Sequence, residues 1–121
     1  MVDDIEIYRQ SFQTRLKRDF EKRELRRQKA YQAIQSRLPQ LVAKYQAIEA
    51  VYLFGSILRP GSFRPDSDID IGIVGGTAED YSTLWHELTE AFPEWTIDLR
   101  DLPANTRFTQ RVIERGEKIY E

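Results

Sequence analysis

Residues 5 to 46 contain no glycine and a single proline, Pro39. A stretch that long without the two residues that most readily end a helix commits the front of the chain to α structure. Ile5, Tyr8, Phe12, Leu16 and Phe20 recur every three or four residues, the helical period. The run "LKRDFEKRELRRQK" is built of good helix formers, and its charges alternate in sign so that neighbouring turns can pair. Ala30, Ala33, Ile34, Leu38, Leu41, Val42 and Tyr45 continue on one stripe. The expectation is a long helix in two parts. Residues 1–29 form a charged extension with a thin apolar stripe that can project from the globule. The part from residue 30 onward packs on it, with Pro39 kinking or restarting the helix.

The period changes after residue 47. "AVYLF" (50–54), "IDIGIV" (69–74) and "WTIDL" (95–99) are short β-rich runs, the first two ended by Gly55 and by Gly75-Gly76. "AEDYSTLWHELTEAF" reads as a helix stopped by Pro93. "NTRFTQRVIERG" reads as another, capped by Asn105 or Thr106 and ended by Gly116. "KIY" (118–120) can add an edge strand. This order predicts an α/β (α+β) fold: a small mixed sheet with helices packed on one face, preceded by the long N-terminal helix.

The chain has 121 residues, enough for one domain, and no cysteine, which excludes disulfides and thiolate metal sites. Its net charge of −2 supplies no global attraction to nucleic acid or membrane. No apolar stretch approaches the ~20 residues of a bilayer span. Met1-Val2-Asp3-Asp4 is acidic rather than signal-like, so a cytoplasmic location is the expectation.

The chemistry concentrates in "LFGSILRPGSFRPDSDIDIGI", residues 53–73. Side chains alternate along a strand, so Ile69, Ile71 and Ile73 share one face while Asp68, Asp70 and Gly72 share the other. With the isoleucines under the helices, the opposite face carries two carboxylates, and Gly72 leaves space beyond them. In the run 95–99, Trp95, Ile97 and Leu99 share one side and Thr96 and Asp98 the other. If the two strands pair with both apolar sets in the core, Asp98 joins Asp68 and Asp70. Three close carboxylates without lysines among them repel, and either protonation or a divalent cation relieves that. All-oxygen donors favour a hard ion such as Mg²⁺, and two such ions ~4 Å apart can clamp a phosphoryl-transfer centre. Taken alone, Asp-x-Asp is more often a capped turn, and Asp98 is as readily an ordinary strand-edge charge.

Gly55 lets backbone approach a ligand closely, and Ser56 can open a short helical turn whose N–H groups and hydroxyl hold phosphate oxygens. Arg59, one turn on, can add a charge-assisted contact. Without a ligand, the same pair reads as a plain helix cap. No Walker-type Gly-Lys-Ser/Thr is present. The Asp-x-Asp of haloacid-dehalogenase-type phosphatases follows its strand, whereas here the strand follows the aspartates. His86, the single histidine, lies mid-helix in "LWHEL" and reads as a surface or packing residue.

The combination "LFGS…SDIDIGI" with a later "IDL" resembles the nucleotidyltransferase superfamily that includes DNA polymerase beta. Lacking a second domain, residues 30–121 look like a minimal nucleotidyltransferase domain of the kind paired, as an antitoxin, with HEPN ribonuclease toxins. The loop 57–67 has eleven residues, one more than the commonest form of the motif. The resemblance implies that Gly55 and Ser56, with Arg59 and Ser67, hold the nucleotide's phosphates, with Arg64 a further candidate for contact. It implies that Asp68 and Asp70 bind two Mg²⁺ ions. Asp98 matches the third, catalytic and metal-binding carboxylate, which helps deprotonate the acceptor; Asp101 is a rival for that place. The implied reaction is transfer of AMP from ATP to a hydroxyl, a tyrosine of the HEPN toxin. The charged N-terminal helix lies outside the resemblance; its stripe of Tyr8, Phe12, Leu16 and Phe20 can bind that partner or a sister subunit, or merely pack on its own domain. The alternatives are a catalytically silent module that neutralises a toxin by steric contact, and nucleotide transfer to RNA or a small molecule.

Overall fold

The computed structural model describes residues 4–121, so Met1, Val2 and Asp3, the start of the expected 1–29 extension, lie outside the described residues. Helix α1 spans Asp4–Val42 without interruption. It neither stops nor restarts at Pro39. The missing N–H falls in the last turn, where one lost hydrogen bond is least disruptive, and the Pro39 carbonyl still accepts from Ala43 N at 3.1 Å. Residues 4–19 are exposed throughout, and Ala30, Ile34, Leu38 and Val42 are fully buried. The helix therefore projects at its front and packs at its rear.

Strand β1 (Ile48–Phe54) leads through a 3₁₀ turn (Gly55–Leu58) and a loop into β2 (Ile69–Gly75). Helix α2 (Ala78–Ala91), strand β3 (Ile97–Asp101), helix α3 (Arg107–Arg115) and strand β4 (Glu117–Tyr120) follow. The sheet order is β3-β2-β1-β4. β1 runs antiparallel to β2 and β4, and β2 runs parallel to β3, so the sheet is mixed. β3 begins at Ile97, two residues later than the β-rich run suggests, because Trp95 still belongs to the turn after α2, its N–H donating to the Phe92 carbonyl at 3.3 Å.

The alternation in sequence becomes two unequal faces. Val51, Leu53, Ile69, Ile71, Ile73, Ile97 and Leu99 join the buried residues of α1 and α2 in the main core. Fully burying aliphatic side chains of this kind stabilises by about 1.5–3 kcal/mol each. Register follows from it, since a one-residue slip of β2 would exchange three isoleucines for two aspartates and Gly72. A smaller cluster lies on the opposite face, where α3 contributes Val112 against Ala50, Tyr52 and Leu102. Leu102 also fills the space beyond the aspartates: a Cβ on Gly72 would stand 2.6 Å from Leu102 Cδ1. The opening expected at Gly72 is thus closed by a side chain from the segment after β3.

Capping is local. Thr77 and Asp80 form a reciprocal capping box on α2, and Thr106 rather than Asn105 caps α3. Asn105 instead adopts a left-handed φ of 67° just before the cap.

Candidate active site

The site is built on the ends of three adjacent strands. Asp70 pairs with Asp98 in the parallel β2–β3 register, and across β1 it faces Phe54, the residue before Gly55. Asp98, Asp70 and the Gly55 turn therefore lie in a row across the sheet. Gly55 has φ +80°, and a Cβ there would stand 2.2 Å from Asp70 Oδ2. The carboxylate occupies the volume that any other residue at position 55 would need.

Asp70 and Asp98 are half-buried and Asp68 is exposed at the mouth of the loop. Burial raises the Asp70 carboxyl to about 6, helped by the charge and hydrogen-bonding capacity of Asp98 and then by Asp68, with Arg100 opposing. A half-buried carboxyl flanked by two like charges suits a hard divalent cation, and Asp68, Asp70 and Asp98 supply oxygen donors of the right kind. Among the described residues, no three acidic, histidine or cysteine side chains stand close enough to form a ready-made metal cage. Asp98 leans toward Arg100, whose Nε lies 3.4 Å from both carboxylate oxygens. Arg100 is the one cation that sequence reasoning did not place among the carboxylates. The signal was there, since position 100 alternates onto the same face as position 98.

Asp101 goes the other way. It pairs with Ile73 and shares the parity of Ile97 and Leu99, so it lies on the face opposite Asp98 and lines a cleft with Gly76 and Tyr81. His86 is exposed, its ring against Trp85 at 5.1 Å.

The loop between the Gly-Ser turn and the aspartates is anchored from within and from α1. Ile57 and Phe63 are fully buried. Arg27 donates to both carboxylate oxygens of Glu24 at 2.8 Å and to the Ile57 carbonyl at 3.1 Å. Glu24 in turn accepts from Gly61 N at 2.6 Å, and Arg23 donates to the Gly61 carbonyl at 2.8 Å. Phe20 lies against Gly61, where a Cβ would meet its Cε2 at 2.5 Å. The charged run of α1, whose alternating signs predict pairing between its own turns, is here also a clamp on the loop. Ser67 accepts from Arg64 N at 2.8 Å and closes the turn that presents Asp68. Ser56 is half-buried and Arg59 exposed.

Residues 36–121 match the family model described as polymerase beta, nucleotidyltransferase. No curated protein sequence matches the chain. Among solved structures, a toxin–antitoxin with AMP-PNP is similar at 24% identity, covering 70% of this chain and 71% of that one with a TM-score of 0.58. The MntA–HepT toxin–antitoxin is similar at 22% identity, 73% and 70% coverage and a TM-score of 0.53. A tri-AMPylated Shewanella oneidensis HEPN toxin in complex with MNT antitoxin gives 24% identity, 73% and 70% coverage and a TM-score of 0.53. These likenesses bear on the fold, and no helix among the described residues is long and apolar enough to cross a membrane. By the family match over most of its length and by its mixed sheet, the chain belongs to the polymerase beta nucleotidyltransferase family.

Proposed function

We propose that this chain transfers AMP from ATP to a protein hydroxyl, a tyrosine of a HEPN-family toxin, and so acts in the cytoplasm as an antitoxin. The observation that carries the reading is the row formed by Asp98, Asp70 and the Gly55 turn, in which a half-buried, charge-crowded carboxylate abuts the glycine. The solved structures of similar fold include a tri-AMPylated HEPN toxin with its MNT antitoxin and a toxin–antitoxin with AMP-PNP, which supports the choice of partner and nucleotide.

Asp68 and Asp70, with Asp98, would hold Mg²⁺, as two ions in the full site. Bound there, the metal would neutralise charge on the reacting phosphate. Gly55 and the Ser56 N–H and hydroxyl orient the phosphate chain, and Arg59 extends that grip. Ser67 keeps Asp68 in place through the loop turn. Asp98 takes the proton of the acceptor hydroxyl, whose oxygen then bonds to the α-phosphorus as the bond to the β-phosphate oxygen breaks and pyrophosphate leaves. Arg100 must release Asp98 for that step, and its exposed side chain has room to do so. The projecting stripe of Ile5, Tyr8, Phe12 and Leu16, each more than half exposed, offers the partner a docking edge; a second copy of the chain is the other occupant of that edge.

The Arg100–Asp98 pair and the absence of a preformed three-ligand cage among the described residues favour one competing reading, a silent module that blocks a toxin by contact. Intact-mass measurement of the HEPN partner after co-expression separates the two. A gain of AMP units with the wild-type chain, lost with Asp70→Asn, supports transfer. An unmodified partner that is still neutralised supports the silent module.

A further inference from the structure

We propose that helix α3 completes an oligophosphate subsite, in which Arg111 and Arg115 join Arg59 to hold the β- and γ-phosphates of the nucleotide. The inference rests on the transfer reading above for the identity of the ligand. Its basis is an open cleft of about 510 Å³ beside the Gly-Ser turn, walled by Gly55 and Arg59 on one side and by Arg111 and Arg115 on the other, with Phe54 and Phe108 among its apolar lining.

Charge singles this cleft out. The chain as a whole carries more acids than bases, yet no acidic residue lines the cleft. None of its three guanidinium groups makes an ion pair or a side-chain hydrogen bond among the described residues, whereas another cleft rich in arginine, around Arg23, Arg26 and Arg64, includes Asp19. Three unneutralised guanidiniums around one concavity create a local positive field that favours an anion, and their planar forks suit phosphate oxygens.

The helix that carries them is held firmly. Thr106 caps its start by accepting from Thr109 N at 3.1 Å. Val112 is buried against the sheet, and Phe108 meets the Phe54 ring edge-on at 5.6 Å. These contacts fix the rotation of α3, and the i, i+4 spacing then turns Arg111 and Arg115 into the cleft together.

Position along the sheet names the ligand class. In the order β3-β2-β1-β4, Asp98 and Asp70 stand beside the Gly55 turn that ends β1, Gly55 itself walls the cleft, and Phe108 on its lining lies 5.8 Å from the Arg100 guanidinium, so the cleft continues from the carboxylates. A nucleotide with its α-phosphate over the carboxylates and its phosphate chain crossing Gly55 ends among the three arginines. These side chains would then hold the pyrophosphate as its bond to the α-phosphorus breaks, and they would favour a triphosphate over a diphosphate.

The test measures binding, apart from transfer. Calorimetric titrations of the full chain with Mg²⁺–ATP, Mg²⁺–ADP and inorganic tripolyphosphate are compared for wild type and Arg111→Ala/Arg115→Ala, with a thermal melt to verify folding. The double variant is expected to bind ATP and tripolyphosphate about tenfold or more weakly, to lose most of the preference for ATP over ADP, and to recover part of it as Arg111→Lys/Arg115→Lys. Unchanged ATP and tripolyphosphate affinities in the double variant overturn the subsite and leave the transfer reading standing. Arginine-dependent tripolyphosphate binding in a wild-type chain that modifies no partner upholds the subsite and overturns the transfer reading instead.

Discussion

The carboxylate of Asp70 lies where a side chain on Gly55 would have to go, with Oδ2 2.2 Å from the position of a Cβ built there. The turn and the strand that follows the loop are thus fitted to each other at one point. Gly55→Ala should force the backbone out of its φ of +80° or push Asp70 away, at a cost of about 1–3 kcal/mol. Thermal melts measure the stability loss. Transfer to the partner should fall with it even at temperatures where the variant is fully folded.

Asp70 also has a pH signature. Its folded-state carboxyl lies at about 6 against an ordinary value of 3.8, raised by burial first and by Asp98 and Asp68 after it. Ionisation is therefore disfavoured in the folded chain. The penalty is complete above about pH 6, shrinks as pH falls between the two values and vanishes below about pH 4. Asp70→Asn should stabilise the metal-free chain by about 1–2 kcal/mol at pH 7.5, after allowance for the group's partial solvent contact, with no gain below about pH 4. Added Mg²⁺ should raise the melting temperature of the wild type and leave that of the variant unmoved. Melts across pH, with and without the ion, check both statements.

The Glu24–Arg27 pair gives a prediction of opposite sign. Donation from Arg27 holds the Glu24 carboxyl down at about 2, against some opposition from burial and with help from Gly61 N–H. Its stabilising effect is present above about pH 4.5 and is lost as pH falls toward 2. Glu24→Gln should cost about 1–2 kcal/mol at neutral pH and loosen the loop between the turn and Asp68. Denaturant unfolding reads the first effect, and faster amide exchange over residues 59–67 the second.

The carboxylate row was legible because period-two alternation in "SDIDIGI" and "WTIDL" leaves one register in which all the isoleucines are buried, and that register sets Asp98 beside Asp70. The same alternation held Arg100 and excluded Asp101, but each needed the strand to be extended to residue 101, past the apolar run that defined it. What sequence could not give were contacts between distant segments. Glu24 and Arg27 look like any alternating helix charges until Gly61 and Ile57 are seen to lie against them. Leu102 closes the space at Gly72 as the next step of the β3 alternation after Arg100, its N–H donating to the Ile73 carbonyl at 2.8 Å, and it too lies past the apolar run that ends at residue 99. Pro39 failed as a break because its position in the final turn, not its identity, decides the cost.

Residues 4–19 add nothing to the core, and the helix first meets the loop at Phe20. A chain lacking residues 1–19 should match the full chain in stability to within about 0.5 kcal/mol, since exposed segments contribute little. It should still bind Mg²⁺–ATP while losing affinity for the HEPN partner. Paired melts and partner pull-downs of the two chains test this.

The most direct test of the central claim is a reconstituted reaction of purified chain and HEPN partner with ATP labelled in either the α- or the γ-phosphate. The account predicts that α-label appears on the partner, that γ-label leaves as pyrophosphate, and that chelating Mg²⁺, Asp70→Asn or Asp98→Asn each reduces transfer at least about a hundredfold. Transfer of the γ-label to the partner, or α-label transfer that persists in both aspartate variants, would contradict it.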